Sequence, residues 1–120
     1  MIKNGYGKII NIGSLSAEKS NADWSHYITA KSGLIGLTKS LAFELAPKGI
    51  RINMVTPSLV NTELTADIPE KIKLLIAAQT PLRRLALSAD VAGVISFLAS
   101  EKSDFLAGEN IRVNGGQVMM

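Results

Sequence analysis

The 120 residues contain no cysteine. That excludes a disulfide framework and any cysteine-ligated metal site, and it is compatible with a cytoplasmic protein. Histidine occurs once, as His26, which reads as a surface or rim residue rather than a metal ligand. No stretch reaches the ~18 uninterrupted apolar residues of a membrane span, and the opening MIKNGYGKIINIG lacks the apolar core of a signal peptide. The net charge is only +3, and the basic residues are scattered apart from Arg83-Arg84. A nucleic-acid surface needs a basic patch, so neither nucleic acid nor membrane is an expected partner. Low-complexity runs and internal repeats are also missing. What is present is 47% hydrophobic and 19% charged residues, the balance of a packed globular chain of single-domain length.

The chemistry concentrates between Ser14 and Lys31, which reads SLSAEKSNADWSHYITAK. Tyr27 and Lys31 are four apart, so on a helix both side chains leave one face, one turn apart. An ammonium beside a phenol favours the phenolate. Two unit charges ~4 Å apart at an effective dielectric of ~20 interact by roughly 4 kcal/mol. Moving a tyrosine from pKa ~10 to ~7 needs about 4 kcal/mol, so the pair can act as a general acid/base near neutral pH. On its own such a pair is as ordinary as a half-buried ring beside a solvated lysine. Ser14, likewise, has the bland role of a loop hydroxyl bonding its own backbone. The flanks decide between these readings.

Lys8 to Ile12 is β-branched and nearly continuously apolar, which predicts a buried parallel strand. Ser14 then lies at its C-terminal end, where open α/β sheets place their ligand crevice; Ser16 is the competing hydroxyl. Ser16 to Trp24 is polar and predicts a loop, with Asp23 or Ser25 as the cap of a long helix from Ser25 to about Ala46. Leu34, Leu37, Leu41 and Leu45 recur at three and four as its core stripe, and Gly33 and Gly36 would admit another backbone. Pro47 and Gly49 stop the helix. Ile50 to Thr56 is a second buried strand. Thr65 to Ala78 predicts two helical pieces broken at Pro69. Ser88 predicts the cap of a last helix whose core stripe is Val91, Val94, Ile95 and Leu98, and Gly108 to Val113 a final strand.

The series INIGS, a polar loop, YITAKSGLIGLTKSLAFELAPKGIRIN, a proline-led loop and a closing VNGG resembles the short-chain dehydrogenase/reductase family, from about Gly5 to the C-terminus. The resemblance is nearest in look to the 3-oxoacyl-(acyl-carrier protein) reductase group. It implies an α/β fold: the C-terminal part of a Rossmann-type doubly wound parallel sheet, with about three strands, two long helices and a short helical lid. It also implies an NAD- or NADP-dependent oxidoreductase that moves hydride between nicotinamide and a carbonyl or secondary alcohol, with a 3-oxoacyl thioester as one substrate class. Tyr27 would then be the general acid/base. Lys31 would lower its pKa and bind the ribose, and Ser14 would polarise the substrate oxygen. The loop of Pro57, Ser58, Val60 and Thr62 would hold the nicotinamide carboxamide, with Ser58 standing where the family usually has glycine. Asn53 matches a structural position, and Asn114 replaces the aspartate of the family's closing motif. A homo-oligomer is implied for the full-length form.

Dinucleotide-binding folds carry a glycine-rich turn after the first strand. Gly5-Tyr6-Gly7 is too near the terminus and lacks the third glycine. The residue that selects NAD or NADP and the family's upstream active-site asparagine are also missing. Residues 1–120 are therefore expected to form a single partial domain lacking its N-terminal dinucleotide-binding half, whether as a fragment, a truncated frame or a misplaced start. The first strand should then keep one bare edge, an aggregation hazard. A catalytically inert remnant acting only through interactions is the alternative function. An epimerase or dehydratase using the same Tyr/Lys pair is a third, less favoured because such relatives usually carry a longer C-terminal substrate domain.

Overall fold

The computed structural model describes residues 1–19 and 21–119; Ser20, within the predicted polar loop, lies outside the described residues. The apolar N-terminal run forms strand β1 (Gly7–Ile12). Helix α1 (Ser25–Leu45), strand β2 (Ile50–Pro57), helix α2 (Glu70–Gln79), helix α3 (Ser88–Ala99) and strand β3 (Asn110–Val113) follow. The strands make one parallel sheet in the order β1-β2-β3. Gly7 lies opposite Ile50, Ile12 opposite Val55, and Met54 opposite Asn110. The architecture is α/β with three parallel strands, two longer helices and a short lid helix, as the sequence predicts.

The central strand carries the core. Ile52, Asn53, Met54, Val55 and Thr56 are all 1% exposed or less. Successive strand residues point to opposite faces, so both faces of β2 are covered, as parallel sheets require. Ile50 and Ile52 pack with Ala42 of α1, flanked by Ile9, Leu41 and Leu45. Helix α3 packs across the strands and contributes the fully buried Leu98. Complete burial of one such apolar side chain contributes roughly 1.5–3 kcal/mol. Asn53 is the polar member of this core. Its amide donates to Leu106 O at 2.9 Å and accepts from Glu109 N at 3.0 Å, holding the segment that leads into β3.

The predicted leucine stripe of α1 needs correction. Leu37 is 46% exposed, whereas Thr38 and Ala42 are buried. The helix is apolar around much of its circumference, so leucine spacing alone does not select a face. Small side chains approach the sheet instead, and Thr38 Oγ1 accepts from Asn11 Nδ2 at 2.9 Å. Gly33 and Gly36 border open space, so no intramolecular contact requires glycine there. Gly49 is different: it is left-handed (φ 79°), and a side chain on it would strike the Gly5 carbonyl.

The predicted caps also move by one residue. Trp24, neither Asp23 nor Ser25, occupies the N-cap of α1 and makes no side-chain cap bond. Leu87, not Ser88, precedes α3. Its N–H donates to Asp90 Oδ2 at 2.7 Å, so a carboxylate inside the first turn replaces a capping hydroxyl. Arg84 grips the same carboxylate at 2.6 and 2.9 Å and, with the Leu87 N–H, lowers its pKa to about 2. At the other end of the sheet, Lys8, almost fully buried, pairs with Asp104 at 2.7 Å and holds that carboxyl below its usual range. The lid segment breaks at Pro69 as predicted, with a 3-10 turn at Glu63–Thr65 and α2 beyond it.

Asn53→Ala removes the partners of two backbone groups in a buried setting. It should cost ~2–4 kcal/mol, at ~1–3 per orphaned group with some relaxation, read as a lower urea midpoint. The acid response has a defined sign. Carboxyls depressed by folding contribute fully above the unfolded value, ~3.9, and the contribution is lost as pH falls through the folded value, about 2 for Asp90. Asp104→Asn should therefore be less stable than the parent at pH 7, and the gap should close on acidification, measured as unfolding midpoints across pH.

Candidate active site

Gly13 follows β1 at a crowded spot, where a Cβ would collide with the side chains of Met54 and Thr56. Its N–H still pairs with Val55 O at 2.8 Å. The chain then turns at Ser14, whose extended backbone caps a 3-10 turn, Leu15–Ala17, and whose Oγ accepts from Ser16 N at 3.2 Å. Ser14 thus fills the bland loop role and also faces the cleft described below. Two cross-ties hold the turn. Ser32 of α1 donates to Ala17 O at 3.3 Å. The Glu18 carboxylate accepts from Arg112 Nε at 2.6 Å and from Asn110 Nδ2 at 3.1 Å, while Thr56 Oγ1 donates to Asn110 Oδ1 at 2.5 Å. Asn110 and Arg112 are two apart on β3 and so share a face.

Tyr27 and Lys31 lie one turn apart in α1, as their spacing predicts. Lys31 Nζ stands 5.8 Å from the Tyr27 ring centroid and donates to Ile12 O, the last carbonyl of β1, at 2.9 Å. The Trp24 ring meets Tyr27 edge-on, with centroids 5.4 Å apart and planes at 78°. The i, i+3 spacing of Trp24 and Tyr27 brings the two rings within reach.

The loop after β2 is braced at several points. Ser58 N donates to Val113 O at 3.1 Å and Asn61 N to Ala86 O at 2.9 Å. Thr65 Oγ1 donates to Val60 O at 2.8 Å and accepts from Thr62 N at 3.0 Å. Positive φ occurs among described non-glycine residues only at Asp23 and Arg83. Serine in place of glycine at position 58 therefore creates no left-handed strain.

These pieces enclose one open cleft of about 1410 Å³. Ser14, Tyr27, Lys31, Pro57, Ser58, Val60 and Thr62 all line it, so the structure brings every expected site residue to one place. It adds residues not expected from the sequence: Trp24, the apolar row Ile68, Ile72 and Ile76 on the lid, and Gln117 near the C-terminus. The four-residue spacing of those isoleucines was the available signal. Gln117 Nε2 donates to Thr80 Oγ1 at 2.6 Å, tying the end of α2 to the closing turn. No cluster of metal ligands exists among the described residues.

The family model described as enoyl-(acyl carrier protein) reductase matches residues 1–117. The chain belongs to the short-chain dehydrogenase/reductase family. It is 40% identical over 120 residues to the 3-oxoacyl-(acyl-carrier protein) reductase of Rickettsia conorii, covering 100% of this chain and 50% of that protein. Its identity to the Aquifex aeolicus reductase of the same name is 45% over 116 residues, covering 97% and 47%. The crystal structure of the Brucella melitensis 3-oxoacyl-(acyl-carrier protein) reductase superposes with a TM-score of 0.93 at 34% identity, over 100% of this chain and 45% of that one. A gluconate 5-dehydrogenase from Burkholderia cenocepacia, solved in complex with NADP and tartrate, gives a TM-score of 0.90 at 32% identity, over 97% and 46%. The chain spans about half the length of the curated relatives it matches. Among described residues, no helix is long and apolar enough to cross a membrane.

Proposed function

We propose that these 120 residues are the catalytic half of an NAD- or NADP-dependent oxidoreductase acting on a carbonyl or secondary alcohol. One observation carries the reading: Ser14, Tyr27 and Lys31 line a single cleft, with the Lys31 ammonium beside the Tyr27 ring. Bound in that cleft, a nicotinamide cofactor supplies or accepts the hydride. The chain's own residues do the rest. Tyr27 passes a proton to the substrate oxygen or takes it back. Lys31 stabilises negative charge on the phenol oxygen. Ser14 gives up its local bond to Ser16 N and hydrogen-bonds the substrate oxygen, fixing the carbonyl for transfer.

The donor set fits the nicotinamide riboside end of a dinucleotide. Lys31 offers N–H donors to ribose hydroxyls, and the braced loop Pro57, Ser58, Val60 and Thr62 offers backbone and hydroxyl groups to a carboxamide. The 120 residues contain no glycine-rich turn that follows a strand. We therefore assign the pyrophosphate and adenosine sites to a separate N-terminal half that completes the domain. The free outer edge of β1, which pairs only with β2 among the described residues, supports the same assignment. The names of the relatives support a 3-oxoacyl thioester as one substrate class. The exposed side of α1, with Phe43 90% exposed and Gly33 and Gly36 open, supports a homo-oligomer of the completed protein.

In a chain completed with a dinucleotide-binding half, Tyr27→Phe should lower kcat by ~10²–10⁴-fold and leave cofactor affinity largely intact, measured by NADPH and NADH oxidation. Lys31→Ala should lower both turnover and cofactor affinity. Turnover of the phenylalanine variant within a few-fold of the parent would remove Tyr27 from the chemistry. Calorimetric titration of the 120-residue chain alone with NADPH or NADH should show no binding at micromolar concentration. The alternative, an inert interaction remnant, predicts that adding the missing half as a second chain restores neither binding nor turnover.

A further inference from the structure

We propose that Trp24 is the specificity-determining wall of the cleft, and that the favoured carbonyl compound carries a flat apolar ring next to the reacting carbon. The inference rests on the reading of Tyr27 as proton donor, because contact with Tyr27 is what places Trp24 at the reacting centre.

Local structure at Trp24 departs from ordinary helix chemistry. A hydroxyl or carboxylate side chain at an N-cap normally stabilises the helix start. Asp23 and Ser25 flank the position, yet the cap residue is a tryptophan that makes no cap bond. Asp23 adopts a left-handed backbone, φ 63°, which aspartate visits more readily than most residues, so the departure is the uncapped tryptophan itself. Breaks of a local rule concentrate at functional sites. The indole then meets Tyr27 edge-on at 5.4 Å and stays 49% exposed at the cleft. The lid brings Ile68, Ile72 and Ile76 to the same cleft without a charge among them, and α2, which carries two of the three, packs extensively against no other element.

The occupant follows from this chemistry. A planar ring gains aromatic contact with an indole beyond the area it buries. A linear acyl chain meets the isoleucines but draws no such gain. A small polyol draws no such gain from the indole face or from the isoleucine side chains, which are apolar. An aryl or cyclic ketone fits best, with its oxygen toward Tyr27 and Ser14 and its ring against Trp24.

The test uses the 120-residue chain and three probes: acetophenone, the N-acetylcysteamine thioester of acetoacetate, and dihydroxyacetone. Trp24 is the sole tryptophan, so saturable quenching of its emission by acetophenone reports occupancy, and ligand-detected NMR measures binding in variants that lack the fluorophore. Acetophenone should bind the parent more tightly than dihydroxyacetone. Its Kd should rise roughly five- to tenfold in Trp24→Ala and stay within about twofold in Trp24→Phe, the scale of one aromatic contact. The thioester should change by less than about twofold in either variant, as expected for a ligand that makes no ring contact. Trp24→Leu keeps an apolar bulk without the ring and should behave like Trp24→Ala while keeping the parent's circular dichroism. Absence of acetophenone binding, unchanged affinity in Trp24→Ala, equal losses for ketone and thioester, or tighter binding of dihydroxyacetone would each overturn the proposal. Tyr27→Phe should still bind acetophenone, so a failure of the hydride-transfer reading appears in turnover and a failure of this one in the Trp24 variants.

Discussion

β2 is buried on both faces and paired on both edges, and the other elements are arranged around it. A parallel strand that loses both faces and both edges to neighbours must satisfy every backbone group through pairing. β2 does so with β1 on one side and β3 on the other. Both partners run in the same direction, so every connection between strands must cross over the sheet, and the functional loops leave from C-terminal strand ends. Ser14 emerges after β1, and Pro57 to Thr62 after β2. Lys31 closes the geometry from α1 by donating to the last carbonyl of β1. The cleft is where these strand ends and the first turns of α1 meet.

A second layer of polar ties turns that placement into fixed positions. Glu18 reaches from the Ser14 segment to Asn110 and Arg112 of β3, across the width of the sheet. The ion pair is largely buried, so removing one partner would leave the other charge poorly solvated, whereas the intact pair adds little net stability. Its value lies in geometry: the hydroxyl loop cannot drift from the third strand. Thr65 does the equivalent for Val60, and Gln117 for the end of the lid. Beyond that tie at its C-terminal end, the lid helix α2 packs extensively against no other element. Sparse packing of this kind marks a segment of low local stability.

Strand and helix identities were legible because each rests on a short-range pattern: the β-branched runs of KIINI and IRINMVT, the helical spacing of Tyr27 and Lys31, and the stop at Pro47 and Gly49. Ser14, Tyr27, Lys31 and the Pro57 loop could be named from the order and spacing of their motifs. The caps were misplaced by one residue because capping depends on which side chain the backbone turns inward, and Asp23 turns left-handed where a cap was expected. The buried face of α1 was misjudged at Leu37 because an all-round apolar helix takes its orientation from the surface it meets.

The sheet class, the crossover helices and the chemical set Ser14, Tyr27 and Lys31 follow from residue order alone, since backbone periodicity and side-chain chemistry are local properties. How that set is supported and walled depends on the packed fold. The Glu18–Arg112 tie joins residues 94 positions apart, and the isoleucine row of the lid lines the same cleft as Trp24, a cleft that no single segment contains. Such contacts depend on how three strands and three helices pack at once, and no residue pattern along the chain encodes that distance.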